Sequence, residues 1–262
     1  MGVAPAHHDS LSSVASGVQI LNNTVANSGG HNAIEVRHDE GGPVVRGNSV
    51  PGGCVHGCTD LKAVVNAVVD QNIVTNPDGP PYAPAFYTEN VFVPQETVSF
   101  SRNIAYDSPV GMQIESSGAC QSGSSTCAIN AKFYNNTIYE ASSTWSLIST
   151  SCNSAALSFT VENNIIDGGT VDMHSGCGVT WDDNDDGGAQ GLSSFVVNNP
   201  NYSSTLGPHD VYHVNPQFVA PPPSSPPNFD LQSSSRCIYA GVHVGLPFSG
   251  PAPDMGAIDT SP

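Results

Sequence analysis

Six times along the chain a short run ends in an asparagine followed by an apolar residue or a Thr/Ser-apolar pair. The runs are Leu21-Asn22-Asn23-Thr24-Val25, Arg46-Gly47-Asn48-Ser49-Val50, Asp70-Gln71-Asn72-Ile73-Val74, Ser101-Arg102-Asn103-Ile104-Ala105, Tyr134-Asn135-Asn136-Thr137-Ile138 and Glu162-Asn163-Asn164-Ile165-Ile166. Counted on the third residue of each, the intervals are 25, 24, 31, 33 and 28 residues. A unit this short cannot bury its own apolar face, so self-similarity at this period predicts stacking of each unit on its neighbours. If coils stack about 4.8 Å apart, equivalent side-chain amides come within hydrogen-bonding reach, each satisfying the next in a turn that would otherwise bury unpaired polar groups. On this reading the sequons at Asn22, Asn135 and Asn201 are turn or ladder positions.

The residues between these asparagines read as strands. Ile34-Glu35-Val36-Arg37, Pro43-Val44-Val45-Arg46, Thr59-Asp60-Leu61-Lys62 and Ala67-Val68-Val69-Asp70 alternate apolar with polar or are rich in β-branched residues, and Gly, Asn, Asp, Pro and Ser divide them. No stretch has a helical period. The prediction is all-β: one unit over residues 1–262, with regular coils over 18–168, irregular coils and a closing segment over 169–262, and seven or eight coils in all. The acidic run Trp181-Asp182-Asp183-Asn184-Asp185-Asp186-Gly187-Gly188 reads as a solvated or Ca²⁺-binding loop, and Ala220 to Pro227 as an extended Pro/Ser surface stretch.

Charge narrows the partners. Six Lys and Arg stand against 23 Asp and Glu, giving a net charge of −17, which argues against nucleic acid and anionic membranes. No apolar run approaches the roughly 18 to 20 residues of a membrane span, and Met1 to Gly17 lacks the basic and apolar regions of a signal peptide. The seven cysteines fall as Cys54/Cys58, Cys120/Cys127, Cys152, Cys177 and Cys237. The close pairs suit small disulfide loops in an oxidising compartment, and the odd count leaves one thiol, most simply Cys237.

With the repeat in hand, the chain resembles right-handed parallel β-helix proteins of the secreted, polysaccharide-acting kind, the polysaccharide lyase-like or pectate lyase-like superfamily. The resemblance rests on the Asn-Asn-x-Ile/Val coil endings and on a C-terminal series: Asn215-Pro216-Gln217-Phe218-Val219, Asn228-Phe229-Asp230-Leu231, Ala240-Gly241 and Pro253-Asp254-Met255-Gly256-Ala257. It implies right-handed coiling, secretion and a glycan partner. Relatives usually open with a capping helix that has no counterpart here, so either the chain is trimmed or something else covers the first coil. An open end invites end-to-end self-association.

The few charges fall into register. At an offset of 25, Glu35 and Arg37 align with Asp60 and Lys62, and equal strand parity points all four out of one sheet. Such a patch suits β-elimination on a uronic-acid polymer, which needs a base beside the acidic proton and a cation on the substrate carboxylate. Lys62 is the candidate base, with Arg37 lowering its pKa. Glu35, Asp39, Glu40 and Asp60 are candidate ligands for Ca²⁺, and His38, His56 and Arg46 candidate contacts to an acidic polysaccharide or other glycan. Cys58-Thr59-Asp60-Leu61-Lys62 also looks like the Cys-x-Asp-x-Lys strand of calcium-dependent β-helix lyases, which use Lys as base. The alternative is a non-catalytic β-helix that binds carbohydrate, acts as an adhesin or self-assembles. Tyr87, Phe92 and Tyr106 are either a sugar-stacking stripe or core.

Overall fold

The computed structural model describes residues 2–3, 16–26, 31–90, 95–116, 128–139, 143–149, 156–168, 170–173, 178–186, 194–197, 207–212 and 214–260. These residues form a parallel β-solenoid without helix, as the repeat predicts. Three parallel sheets of eight, seven and seven strands run along it. The first sheet includes Ile34–Arg37, Thr59–Lys62, Pro84–Asn90 and Val110–Ser116; the second includes Val44–Arg46, Ala67–Asp70, Gln95–Ser101 and Ala128–Tyr134; the third includes Ser49–Val50, Ile73–Thr75, Ile104–Tyr106, Thr137–Tyr139 and Ile165–Asp167.

Six coils have a strand in all three sheets, from the one starting at Ile34–Arg37 to the one ending at Asp185–Asp186, so that about five turns lead from the first to the last. This is fewer than the seven or eight predicted, because the end coils are incomplete. Gly2–Val3 and Gln19–Leu21 stand at one end, Ser194–Val197 and Val211–Tyr212 at the other.

The asparagines form the expected ladder at the corner between the second and third sheets. The backbone N–H and side-chain Nδ2 of Asn72 both donate to Oδ1 of Asn103, at 3.0 and 2.9 Å, and its Nδ2 also donates to the Val45 carbonyl one coil back. The same pattern joins Asn48 to Asn72, Asn103 to Asn136 and Asn136 to Asn164. The residue before each rung is left-handed, with φ of 56° at Gln71, 51° at Arg102 and 53° at Asn135. That conformation turns the corner within two residues, at about 1–2 kcal/mol for a side chain other than glycine. The fully buried amides offset it by satisfying one another.

The ladder runs two rungs beyond its predicted end. Asn164 donates to Asn184, and Asn184 to Asp210. The acidic run is therefore no solvated loop. Asp183 takes the left-handed corner, Asn184 is a rung, and Asp185 and Asp186 pair in register with Ile165 and Ile166, fully buried.

Phe86, Phe100, Phe133 and Phe159 fill the interior, with the Phe100 and Phe133 rings stacked at 5.2 Å. A second apolar layer lies outside the third sheet. There Ile104, Tyr139 and Ile165 pack under Phe218, Phe229, Leu231, Cys237 and Met255 of the C-terminal segment. Asn135 and Asn163 side chains and the Thr137 hydroxyl tie that segment down through Asp254, Val242 and Ala257. Gly256, at φ +90°, sits so close that a Cβ would lie 2.7 Å from Ile165 Cδ1. Ala220 to Pro227 lies at the surface as expected, with residues 223–226 exposed, but it is a turn and not an extended run, connecting the antiparallel strands Phe218–Ala220 and Asn228–Leu231. Among the described residues no helix is long and apolar enough to cross a membrane.

Candidate functional site

The register inferred from the spacing holds. Glu35 pairs with Asp60 and Arg37 with Lys62 in adjacent strands of the first sheet. Ile34, Val36 and Leu61 point inward to the core, which turns the four charged side chains outward. The next coils continue both columns: Asp60 is followed by Tyr87 and Gln113, Lys62 by Glu89 and Glu115. Glu89, Glu115 and Asn32 belong to the patch and escaped the sequence reading. The ruler misleads at this coil, since Asn72 to Asn103 spans 31 residues but Lys62 to Glu89 only 27. The extra residues fall between the first and second sheets.

Asp60 is the centre of the patch. Although it points out of the sheet, it is only 1% exposed. The turn carrying Gly57 folds over it, held by the Gly57 amide on Asn32 Oδ1 at 3.0 Å and pinned by the Cys54–Cys58 disulfide. A Cβ on Gly57 would meet Tyr87 Cβ at 3.3 Å and Asp60 Cβ at 3.7 Å, so the turn packs closely on both residues. Asn32 Nδ2 donates to Asp60 Oδ2 at 2.6 Å and to Glu35 Oε1 at 3.1 Å, and the Lys62 ammonium lies 3.5 Å from Asp60 Oδ2. Among the described residues Oδ1 has no hydrogen-bond partner. Burial pushes the Asp60 carboxyl up to about 7, with Lys62 opposing and Glu35 reinforcing the rise.

Lys62 is a cation here. Burial alone pulls its pKa down, but the Asp60 and Glu89 carboxylates more than offset that and leave it raised. Its Nζ is 3.0 Å from Glu89 Oε2 and 5.3 Å from the centre of the Tyr87 ring. Arg37 is bound to Glu35. Arg37 lowers the Lys62 pKa, as expected, but by less than Asp60 and Glu89 raise it; the group pushed up to about 7 is Asp60. Tyr87 donates to Glu115 Oε2 at 2.7 Å and is held protonated by burial and by its acidic neighbours.

The other candidates are scattered. Both Asp39 oxygens accept backbone amides, from Gly17, Val18 and Gly41, so this buried acid anchors a turn. Glu40 is exposed beside it, and His38 has a left-handed backbone in the same turn. His56, exposed on the Cys54–Cys58 loop, stacks on His31 at 4.7 Å at the rim of the patch. Arg46 lies on the second sheet, where it and Arg102 share the buried carboxylate of Asp70. Phe92 lies outside the described residues, as do Cys120, Cys127, Cys152 and Cys177, and Tyr106 packs on Phe229. Cys237 is a free, buried thiol.

Of the four acids expected to hold calcium, only Glu35 and Asp60 meet. The groups facing their oxygens are donors from Asn32, Arg37 and Lys62, which fits a neutralised acid pair and not an oxygen shell for Ca²⁺. Asp182, Asp183 and His209 bring ligand atoms within 4.8 Å of one another, yet Asp182 already accepts from the His209 and Asp183 amides and pairs with the His209 ring. No family model, curated protein or solved structure matches the chain, so the resemblance to polysaccharide lyases has no support beyond the shared parallel β-solenoid architecture.

Proposed function

We propose that this β-solenoid is an extracellular carbohydrate-active protein that performs β-elimination on a uronic-acid polymer at the outer face of the first sheet. The observation that carries the reading is a buried, half-satisfied Asp60 carboxyl titrating near neutrality within 3.5 Å of a lysine ammonium. Active sites combine such a perturbed acid with a fixed counter-charge. With the Gly57 turn lifted off it, Asp60 in its ionised form takes the proton next to the substrate carboxylate through Oδ1, which is buried while that turn is in place. That C–H electron pair becomes the new double bond, the glycosidic oxygen leaves, and water protonates it. Lys62, with Arg37 beside it, lies where a cation stabilises the carboxylate as charge builds up on it. His56 at the rim is the substrate contact nearest the patch. The protein's charge of −17 repels an acidic polymer, so added Ca²⁺ is expected to help by screening and bridging rather than by filling a site in the patch. The Cys54–Cys58 disulfide is in keeping with secretion.

Ion pairing favours a second, non-catalytic reading, in which the patch stiffens a glycan-binding or self-assembling face: Arg37 is bound to Glu35, and Lys62 to Asp60 and Glu89. Incubation with a panel of uronic-acid polymers, with and without Ca²⁺, separates the two by the absorbance of the unsaturated product. Elimination that rises with pH through about 7 and is lost in Asp60→Asn and Lys62→Ala is the expected result. No product on any polymer removes the lyase reading. Product that persists in Asp60→Asn removes Asp60 as its base.

A further inference from the structure

A second site is formed where the C-terminal hairpin meets the outer face of the third sheet. Tyr139 and Asp167 are register neighbours at the C-terminal ends of two middle strands of that sheet, and Asn215, Gln217, Phe218 and Gln232 face them across a cleft of about 340 Å³. That volume lies at the lower end of small-ligand clefts, roughly 300 to 1,000 Å³. Tyr139 and Phe218 meet edge to face at 5.9 Å beneath the cleft, both of them buried, so its open lining is chiefly polar.

The three amides are each anchored on one side only. Asn215 Oδ1 accepts the Gln217 amide at 2.7 Å, Gln217 Oε1 accepts the Ser234 hydroxyl at 2.7 Å, and Gln232 Nε2 donates to the Phe218 carbonyl at 2.9 Å. Among the described residues this leaves Asn215 Nδ2, Gln217 Nε2 and Gln232 Oε1 without a protein partner, two donors and one acceptor on a fixed frame. Gln217 holds a left-handed backbone at φ 57°, a conformation rare for such a side chain, and the Gln232 amide donates to its carbonyl. Asp167 supplies a carboxylate, and no described lining residue is cationic.

Mixed donors and acceptors match the hydroxyls of a sugar ring, and the carboxylate disfavours an anionic one. We propose that this cleft binds one ring of an uncharged glycan, at a site separate from the charged face of the first sheet. The proposal does not rest on the lyase reading.

The test is saturation-transfer NMR and calorimetry on the full chain with glucose, galactose, mannose and N-acetylglucosamine, and with glucuronate as the charged control. At least one neutral sugar is expected to bind with a millimolar Kd. Asn215→Ala combined with Gln232→Ala, both exposed positions, should weaken it about tenfold, the loss expected for two hydrogen bonds. Lys62→Ala should leave it unchanged. The proposal is overturned if none of the four sugars binds, if glucuronate binds as tightly as they do, or if the double variant, folded by circular dichroism, binds like the parent.

Discussion

Asp60 on the first sheet and Asp185 on the third are both buried acids, both pushed up to about 7 by burial, and both carry an oxygen without a partner among the described residues. Their surroundings differ. Asp60 faces an ammonium, a tyrosine ring and the rim of an open sheet face. Asp185 lies under the C-terminal segment, its Oδ2 accepting from the Cys237 thiol at 3.2 Å, with Asp167 adding negative charge. One strand position away, Asp186 accepts from Trp181 Nε1 at 3.0 Å, and burial and Asp210 raise its pKa well above the ordinary carboxylate value. Burial alone makes an acid weak. A counter-charge that can also meet a ligand is what makes it usable, and only Asp60 has one.

The largest effect should come from removing the acid with no counter-charge. Asp185 titrates near 3.8 unfolded and near 7 folded, so between those pH values the folded state holds more protons and stability falls as pH rises. About three pKa units correspond to a ceiling of roughly 4 kcal/mol. Denaturant unfolding of Asp185→Asn should therefore show a gain approaching that figure above about pH 8 and little change near pH 4. An unaltered pH slope would break the comparison from the Asp185 side.

A smaller effect follows from making Asp60 resemble Asp185. Lys62→Met removes the ammonium, so the Asp60 carboxyl should titrate still higher, with a stability loss of about 1–3 kcal/mol at pH 8 that shrinks near pH 4. Carbon-13 NMR of the Asp60 carboxyl reads this directly. A midpoint that stays put or falls would show that Lys62 does not set its charge. Smallest of all, Arg37→Gln removes a pair whose arginine is 37% exposed, and should cost under about 1 kcal/mol, visible in Tm at low salt and absent at high salt.

Much of the architecture was legible because a stacked coil repeats its constraints. A left-handed corner followed by a buried amide recurs at every turn, so the asparagines marked the period and the 25-residue offset placed Glu35 beside Asp60. The ladder's last rungs went unread because Asn184 stands among four aspartates, which on composition look like a loop. Their burial depends on what covers them. The third-sheet strands carry the mark of that cover: Ile165 and Ile166 are apolar on both parities, which requires a layer on each face. At the candidate site, Asn32 and the Gly57 turn were invisible because they reach Asp60 from the neighbouring corner, not from the column that spacing defines.

Sequence by itself determined the all-β stacked fold, the coil period and which charged residues share a column, since these follow from local periodicity and strand parity. Tertiary structure decided which of those charges matter. The pKa of Asp60, the cationic state of Lys62 and the cleft beneath the hairpin all depend on desolvation and on neighbours from other coils, and neither is encoded in the spacing along the chain.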